Sequence, residues 1–334
     1  MQTNNRQIHY SNSYFIIIFL ISIIILFAVF LSGSKDAEET VKEQPLVSSL
    51  IVSVPIPQQI KFCNKEISLE RLDMRERFDR EINSLIYFHS STLLLIKKAN
   101  RFFPIIEPVL KKNGIPDDFK YLCVIESNLD TRAYSSAKAA GLWQFIESTA
   151  KICGLEIREG VDERYHIEKA TKAACKYFKD AYDRYGNWVN VAASYNAGTS
   201  RISSEMQKQQ EESALDLLLV SETSRYVFRI MAIKEIFSNP QKYGFILKKE
   251  NLYPQVSLNY VEISTDIPDW AVFAKEQGIS YMQLKEYNVW LRDTKLTMPK
   301  GEKKTYRIAI PKKEDLYFNK NNIKVHDKAW VIDY

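Results

Sequence analysis

Cysteine and histidine, which together supply most zinc ligands, are scarce in this sequence and widely scattered. The 334 residues include four cysteines and four histidines, and these form no CxxC pair, no Cys/His cluster with zinc spacing and no HExxH motif. The sequence therefore predicts no metal site and no cofactor. An excess of one charge is also lacking, because 46 basic residues oppose 41 acidic ones and leave a net charge of +5. This balance gives no reason to expect nucleic-acid binding, but it is compatible with an anionic polymer or membrane surface as a neighbour.

One long apolar run lies near the N-terminus. Residues 14–31 are 18 residues without charge, which would span roughly 27 Å as a helix. Arg6 precedes the run and acidic residues follow it, so the positive-inside rule predicts a cytoplasmic N-terminus and an exported remainder. We interpret residues 1–34 as a cytoplasmic stub and a membrane anchor. A cleaved signal peptide is the alternative that the sequence leaves open.

Export makes a disulfide feasible among Cys63, Cys123, Cys153 and Cys175. Cys123 and Cys175 fall in apolar helical patterns, where buried free thiols are the commoner state. The sequence favours free thiols and leaves the pairing open.

The rest of the chain divides by composition, and no internal repeat or low-complexity tract is present. Residues 35–66 read as a linker, since Pro55 and Pro57 prevent regular structure. Residues 67–245 show helical apolar spacing nearly throughout, with breaks predicted at Pro104 and Gly114. Residues 256–312 instead begin and end with β-branched, alternating runs around two short helical patterns. They predict a small separate β-α-α-β module, followed by a C-terminal extension at 313–334.

An unusual carboxylate stands in the segment DDFKYLCVIESNLD, residues 117–130. On a helix, Phe119, Leu122, Cys123 and Glu126 share one stripe, so the face that should meet the core ends in Glu126. Desolvation would favour the neutral form of this carboxyl and raise its pKa, which suits a general acid. The alternative is that Glu126 lies at a frayed, solvated helix end.

Two other segments combine small, polar and aromatic residues. SSAKAAGLWQF, residues 135–145, leads a small-residue loop into Trp143 and the hydrogen-bonding Gln144. ASYNAG, residues 193–198, ends a helix, and a left-handed Gly198 would leave Tyr195 and Asn196 exposed at its tip. Each segment taken alone is also compatible with an ordinary end or break of a helix.

Taken together and in this order, the motifs resemble a known family. ESNLDTRAYSSAKAAGLWQFIESTA, ASYNAG and ETSRYV are similar to the soluble-lytic-transglycosylase domain, with the membrane-bound lytic murein transglycosylase D group as nearest kin. The resemblance covers about residues 67–240. It implies a mainly α, lysozyme-like fold and a periplasmic enzyme that cleaves peptidoglycan glycan strands. FAKEQGISYMQLKEYNVWL and YRIAIP resemble LysM, a sugar-binding module.

The resemblance also implies residue roles. Glu126 is expected to be the single catalytic acid and base, and Ser135 and Gln144 to contact substrate. Tyr195 and Asn196 match a Tyr-Asn pair at the cleft, and Tyr226 matches a tyrosine that supports the catalytic carboxyl. The chain departs from the common pattern at Thr131, Lys138, Glu147 and Ser194, none of which removes a reactive group.

A second carboxylate, which most glycosidases use, is not obvious. Asp130 is expected in a solvated turn, and Glu147 is the other candidate. The family resolves this through its substrate, whose acetamido and C6 hydroxyl groups react internally to give a 1,6-anhydro product. Two alternatives remain open: a goose-type lysozyme-like hydrolase of the same bond, and a non-catalytic wall-binding or assembly protein.

Overall fold

Ten α-helices lie in the part of the chain that the structure, a computed structural model, describes: residues 52–299, 301 and 303–333. The predicted anchor and most of the predicted linker fall outside these residues. Within them, no helix combines the length and the apolar character needed to cross a membrane. Residues 54–334 form one structural unit. The mainly α fold predicted for the chain is confirmed.

Eight of these helices form the body that was predicted to be lysozyme-like. In chain order they are α1 Leu72–Tyr87, α2 His89–Lys112, α3 Lys120–Ser127, α4 Glu147–Ile152, α5 Ile167–Tyr185, α6 Trp188–Ala197, α7 Thr199–Gln209 and α8 Ser221–Ser238. Their apolar faces enclose one core, in which Phe103, Phe119, Phe178 and Phe228 are completely buried. The stripe predicted for α3 is therefore confirmed, because Phe119, Leu122 and Cys123 all face this core.

A β-hairpin precedes the helices. Strands β1 Gln59–Phe62 and β2 Lys65–Ser68 pair antiparallel, and the two turn residues between them both have positive φ, as tight hairpin turns require. Ile60, Phe62 and Ile67 are buried in the helical core. The linker prediction for residues 35–66 is therefore wrong for the hairpin residues. Pro55 and Pro57 favoured a linker, but the apolar side chains that follow them alternate as in a strand.

Helix α2 runs through both of its prolines, so the break predicted at Pro104 is wrong. Proline at position 104 leaves the carbonyl of Asn100 without its helical partner. The side chain of Gln255 donates to that carbonyl oxygen at 3.4 Å. A distant segment thus supplies the hydrogen bond that proline removed, which no local sequence pattern shows.

The C-terminal module has the predicted β-α-α-β order. It comprises β5 Leu258–Ile263, α9 Trp270–Glu276, α10 Tyr281–Tyr287 and β6 Tyr306–Pro311. Strands β5 and β6 pair antiparallel, from Leu258 opposite Pro311 to Ile263 opposite Tyr306. The module packs on a short hairpin of the helical body, β3 Ile157–Arg158 and β4 Val161–Asp162.

The segment after the module returns to the helical body. Trp330 is 2% exposed, and its ring meets Phe103 and Phe237 edge-on, with centroids 6.0 and 5.6 Å away. Its indole Nε1 donates to the Phe237 carbonyl oxygen at 2.9 Å, and Asn100 donates to the Lys324 carbonyl at 3.0 Å. The predicted C-terminal extension is thus part of the helical core.

All four cysteines are free thiols. Cys123 and Cys175 are completely buried, as their apolar helical patterns predicted. Burial raises the pKa of both thiols, and for Cys175 it does so to about 12.

Candidate active site

A cleft of about 950 Å³ opens on the helical body. Its walls come from the end of α3, the loop before α4, the junction of α6 and α7, and the first turns of α8. The structure brings together in this cleft the six residues that were expected to act on, contact or support the substrate: Glu126, Ser135, Gln144, Tyr195, Asn196 and Tyr226.

Glu126 occupies the last turn of α3, and its carboxyl is partly sheltered from solvent. Helix α3 is followed by Asn128 and Leu129, whose positive φ angles of 53° and 52° turn the chain sharply. Burial raises the pKa of the Glu126 carboxyl to about 7, and the charge of Glu222 acts in the same direction. A carboxyl with this pKa can both donate and accept a proton near neutral pH.

Tyr226 fixes the orientation of this carboxyl. Its hydroxyl donates to Glu126 Oε1 at 2.5 Å, and the phenol is 2% exposed. Burial holds the pKa of the Tyr226 hydroxyl well above its usual value, so the group keeps its proton and remains a donor. The hydrogen bond stabilises the carboxylate form and lowers the pKa of Glu126, opposing the larger effect of burial.

Gln144 lies near the end of the loop of residues 135–145, with a positive φ of 47°. Its amide nitrogen donates to the carbonyl oxygens of Gly141 at 2.9 Å and Ala133 at 3.3 Å. These bonds fix the side chain and leave Oε1 as the acceptor that a ligand could use. The neighbouring Trp143 is buried and donates from Nε1 to Thr171 Oγ1 at 2.9 Å.

Ser135 begins the same loop. Its backbone amide donates to the Ala139 carbonyl at 2.9 Å, and its Oγ accepts from the Ala139 amide at 3.1 Å. The hydroxyl proton of Ser135 is therefore available to the cleft, which this residue lines.

Tyr195 is half-buried, so the prediction that it is exposed at a helix tip is wrong. Its ring packs edge-on against Tyr177 at 5.2 Å and Phe145 at 6.0 Å, and its hydroxyl donates to the Trp143 carbonyl at 2.6 Å. Gly198 has a φ of 86° and a ψ of 142°, which is not the predicted left-handed cap. This conformation lets α7 begin directly after α6.

Asn196 links two walls of the cleft. Its Oδ1 accepts from the Thr223 hydroxyl at 2.9 Å, and its Nδ2 lies 3.5 Å from Glu222 Oε1. Thr223 and Glu222 belong to the first turn of α8, which places Asn196 between the α6–α7 junction and the helix that carries Tyr226.

The second carboxylate in the cleft is Glu222 rather than either predicted candidate. Asp130 is exposed and accepts from the Arg132 amide at 2.8 Å, and Glu147 forms an exposed ion pair with Lys151 at 2.6 Å. Glu222 instead lines the cleft. The sequence held one signal for it, since Glu222 precedes Tyr226 by four residues and shares its helix face.

Comparisons with known proteins agree with this arrangement. Residues 103–217 match the Transglycosylase SLT domain, and residues 259–314 match the soluble lytic transglycosylase C-terminal LysM-like domain. The membrane-bound lytic murein transglycosylase D of Escherichia coli K12 is 28% identical over 245 residues, which are 72% of this chain and 52% of that protein. The enzyme of the same name from E. coli O6:H1 gives the same figures. The chain thus spans about half the length of these relatives.

Two solved structures are also similar to part of this chain. They are the 70 kDa soluble lytic transglycosylase of E. coli and an inactive mutant of the lytic transglycosylase Slt from Pseudomonas aeruginosa, both 20% identical. The first covers 41% of this chain and 24% of its own, with a TM-score of 0.37. The second covers 42% and 24%, with a TM-score of 0.35. Together, the domain matches show that this chain carries a Transglycosylase SLT domain followed by a LysM-like domain, and that it is homologous to membrane-bound lytic murein transglycosylase D.

Proposed function

We propose that the chain is a peptidoglycan lytic transglycosylase in which Glu126 acts alone as acid and then as base. The bond cleaved is the β-1,4 bond between N-acetylmuramic acid and N-acetylglucosamine. The observation that carries this proposal is the Glu126 carboxyl, sheltered in a cleft, bonded to Tyr226 and held at a pKa of about 7. The Transglycosylase SLT domain match, which includes Glu126, supports the same reaction class.

In the first step, protonated Glu126 gives its proton to the glycosidic oxygen. The bond from this oxygen to C1 of the muramic acid residue breaks, and the leaving sugar departs with a hydroxyl group. The acetamido oxygen of the same muramic acid residue bonds to C1 in place of an enzyme nucleophile, as in other substrate-assisted glycosidases. Glu126 is left as a carboxylate, which the Tyr226 hydroxyl stabilises.

In the second step, the Glu126 carboxylate takes the proton of the C6 hydroxyl on that sugar. The C6 oxygen bonds to C1, the acetamido oxygen is released, and a 1,6-anhydro ring closes without consuming water. Attack within one sugar has a large advantage in effective molarity over attack by solvent. The enzyme returns to its starting protonation state, which requires a carboxyl whose pKa lies near ambient pH.

The other cleft residues are suited to orient the strand. Gln144 Oε1 offers an acceptor and the Ser135 hydroxyl a donor on one wall, and the Asn196 amide occupies the opposite one. We assign to them the hydroxyl and acetamido groups of the two sugars that flank the scissile bond. Tyr195 supports the cleft indirectly, because its hydroxyl already donates a hydrogen bond to the Trp143 carbonyl.

The same proposal covers location and accessory binding. The uncharged run at residues 14–31 and the membrane-bound name of the relatives support a periplasmic enzyme anchored by its N-terminal segment. The LysM-like match at residues 259–314 supports a second contact of the C-terminal module with glycan strands.

Mass spectrometry of the soluble products from purified sacculi tests the proposal. We expect muropeptides that are lighter by one water than the corresponding reducing-end sugars. Glu126→Gln should abolish their release without changing binding to sacculi. Asp130→Asn, on an exposed carboxylate outside the cleft, is the matched control and should be active. Undiminished release by Glu126→Gln would overturn the assignment.

Glu222 favours one rival, a hydrolase of the same bond, because it places a second carboxylate in the cleft. There it could activate water for direct attack on C1. The rival predicts reducing-end products from the parent enzyme and loss of activity in Glu222→Gln. Anhydro products from both proteins would exclude it.

A further inference from the structure

Arg164 makes an unusual set of contacts close behind the cleft. It lies in the 3₁₀ turn that follows β4, and its side chain is buried. Nε and Nη2 bond to the Asp162 carboxylate at 3.0 and 2.7 Å. Nη1 points the other way and donates to the carbonyl oxygens of Lys138 at 2.8 Å and Phe145 at 3.2 Å.

These two carbonyls stand at the ends of the segment that carries Gln144. We call residues 135–145 the cleft loop. Within it, Lys138 and Gln144 both have positive φ, 62° and 47°, a backbone state that non-glycine residues hold only when their surroundings enforce it. Arg164 therefore binds the loop at one of these residues, Lys138, and at Phe145, the residue directly after the other.

The backbone of Arg164 also shapes the loop. At Gly141, where φ is 75°, an added Cβ would lie 2.0 Å from the Arg164 carbonyl oxygen. Only glycine permits this approach. The Arg164 backbone thus packs against the middle of the cleft loop, while its guanidinium binds the carbonyls of Lys138 and Phe145 on either side.

The C-terminal module holds Arg164 in turn. The Asp162 amide donates to the Trp290 carbonyl at 2.9 Å, and the Arg292 amide donates to the Gly160 carbonyl at 2.9 Å. Val161, Tyr165 and the loop residue Ala140 are buried in the same apolar cluster as Trp290. The β3–β4 hairpin is therefore continuous with the module on one side and with the cleft loop on the other.

We propose that Arg164 is a positioning residue that fixes the cleft loop for substrate binding, and that the LysM-like module braces it through the β3–β4 hairpin. The proposal rests on the function proposed above, since the loop presents Ser135 and Gln144 to the glycan. It gives the module a role in the catalytic cleft itself, separate from any contact of its own with the cell wall.

The expected changes in KM and kcat follow from which side chains are displaced when the Arg164 contacts are lost. Losing the clamp displaces Ser135 and Gln144 but leaves Glu126 and Tyr226, which lie on α3 and α8, in place. Substrate binding should weaken, so KM should rise by roughly tenfold or more. The turnover number and the pH dependence governed by Glu126 should be nearly unchanged.

The main test is the double variant Asp162→Asn/Arg164→Met in the full chain. It removes the clamp without leaving a buried unpaired charge. KM and kcat are measured on soluble glycan strands across pH, together with the melting temperature. Asp118→Asn/Lys234→Met is the matched control, because it removes another partly buried ion pair, 2.6 Å long, away from the loop and likewise without leaving an unpaired charge. Arg164→Lys keeps a cationic donor at this position, so its KM should lie between that of the parent and that of the double variant.

The possible results distinguish three claims: the Arg164 clamp, its bracing by the module, and the proposed function. A higher KM in the clamp variant, with kcat retained and with Asp118→Asn/Lys234→Met showing only a lower melting temperature, supports the clamp. An unchanged KM, or a fall in kcat that merely follows the folded fraction, overturns it. Trp290→Ala tests the module and should raise KM in the same way; an unchanged KM there overturns the bracing. An inactive parent enzyme would refute the proposed function instead.

Discussion

The hydroxyl of Tyr226 lies 2.5 Å from Oε1 of Glu126, across 100 residues of sequence. This contact joins the last turn of α3 to the first half of α8 and sets the balance of forces on the carboxyl. Burial favours the protonated form, the tyrosine favours the carboxylate, and Glu222 favours the protonated form again. The tyrosine hydroxyl and the Glu222 charge can each be removed by one substitution.

Tyr226→Phe should raise the pKa of Glu126 above its present value of about 7, because the hydrogen bond that lowers it is lost. The acid would keep its proton to higher pH, so the alkaline limb of the kcat/KM profile should shift upward. A downward shift would contradict the geometry. The pH profile of kcat/KM on soluble glycan strands measures this.

Glu222→Gln should act in the opposite direction. Removing a negative charge near Glu126 lowers its pKa, so the alkaline limb should move to lower pH. Asn196 would keep an amide partner at this position, which limits structural change. Glu205→Gln, on α7 and outside the cleft lining, is the control and should leave the limb in place.

Glu126→Gln should stabilise the fold at alkaline pH. The folded pKa of about 7 lies above the ordinary glutamate pKa of 4.5, so the stability of the native protein is full below pH 4.5 and declines as pH rises through 7. The loss has an upper limit of about 3 kcal/mol. The variant should therefore melt higher than the parent at pH 8 and equally at pH 4. Equal melting temperatures at both pH values would show that the carboxyl is solvated.

Trp330→Ala should destabilise the helical body by about 3–5 kcal/mol, the usual cost of removing a large buried aromatic side chain. The cavity would open beside Phe103 and Phe237, far from the module's own core. Urea denaturation measures the loss. Tyr317→Ala, on a side chain that is 79% exposed in the same segment, should change the stability little.

The position of Trp330 also affects experiments on the module. Deleting the chain after residue 250 would remove Trp330 together with the module and expose the helical core. A weaker attachment to sacculi by such a truncation could then reflect unfolding. Point substitutions on the exposed surface of the module, in the full chain, test its binding without this loss.

Local pattern was enough to identify several parts of the molecule. The stripe from Phe119 to Glu126 predicted the buried face of α3 and the sheltered carboxyl, since helix geometry alone fixes which residues share a side. Alternating and helical apolar spacing also predicted the β-α-α-β module. Local pattern failed at Pro104, because the hydrogen bond that lets α2 continue comes from Gln255, 151 positions away in the sequence.

The candidate active site shows the same contrast between what the sequence predicts and what the tertiary structure decides. Sequence determined the chemical groups: one carboxyl on an apolar stripe, an amide beside a tryptophan, and a tyrosine in a later helix. Tertiary structure decided their surroundings: that Glu222 rather than Glu147 enters the cleft, that Tyr195 bonds to a backbone carbonyl, and that Arg164 holds the cleft loop. The physical reason is the separation in sequence between the interacting residues. Spacing along one helix dictates which side chains are neighbours on that helix, whereas desolvation and hydrogen bonding depend on segments that only folding brings together.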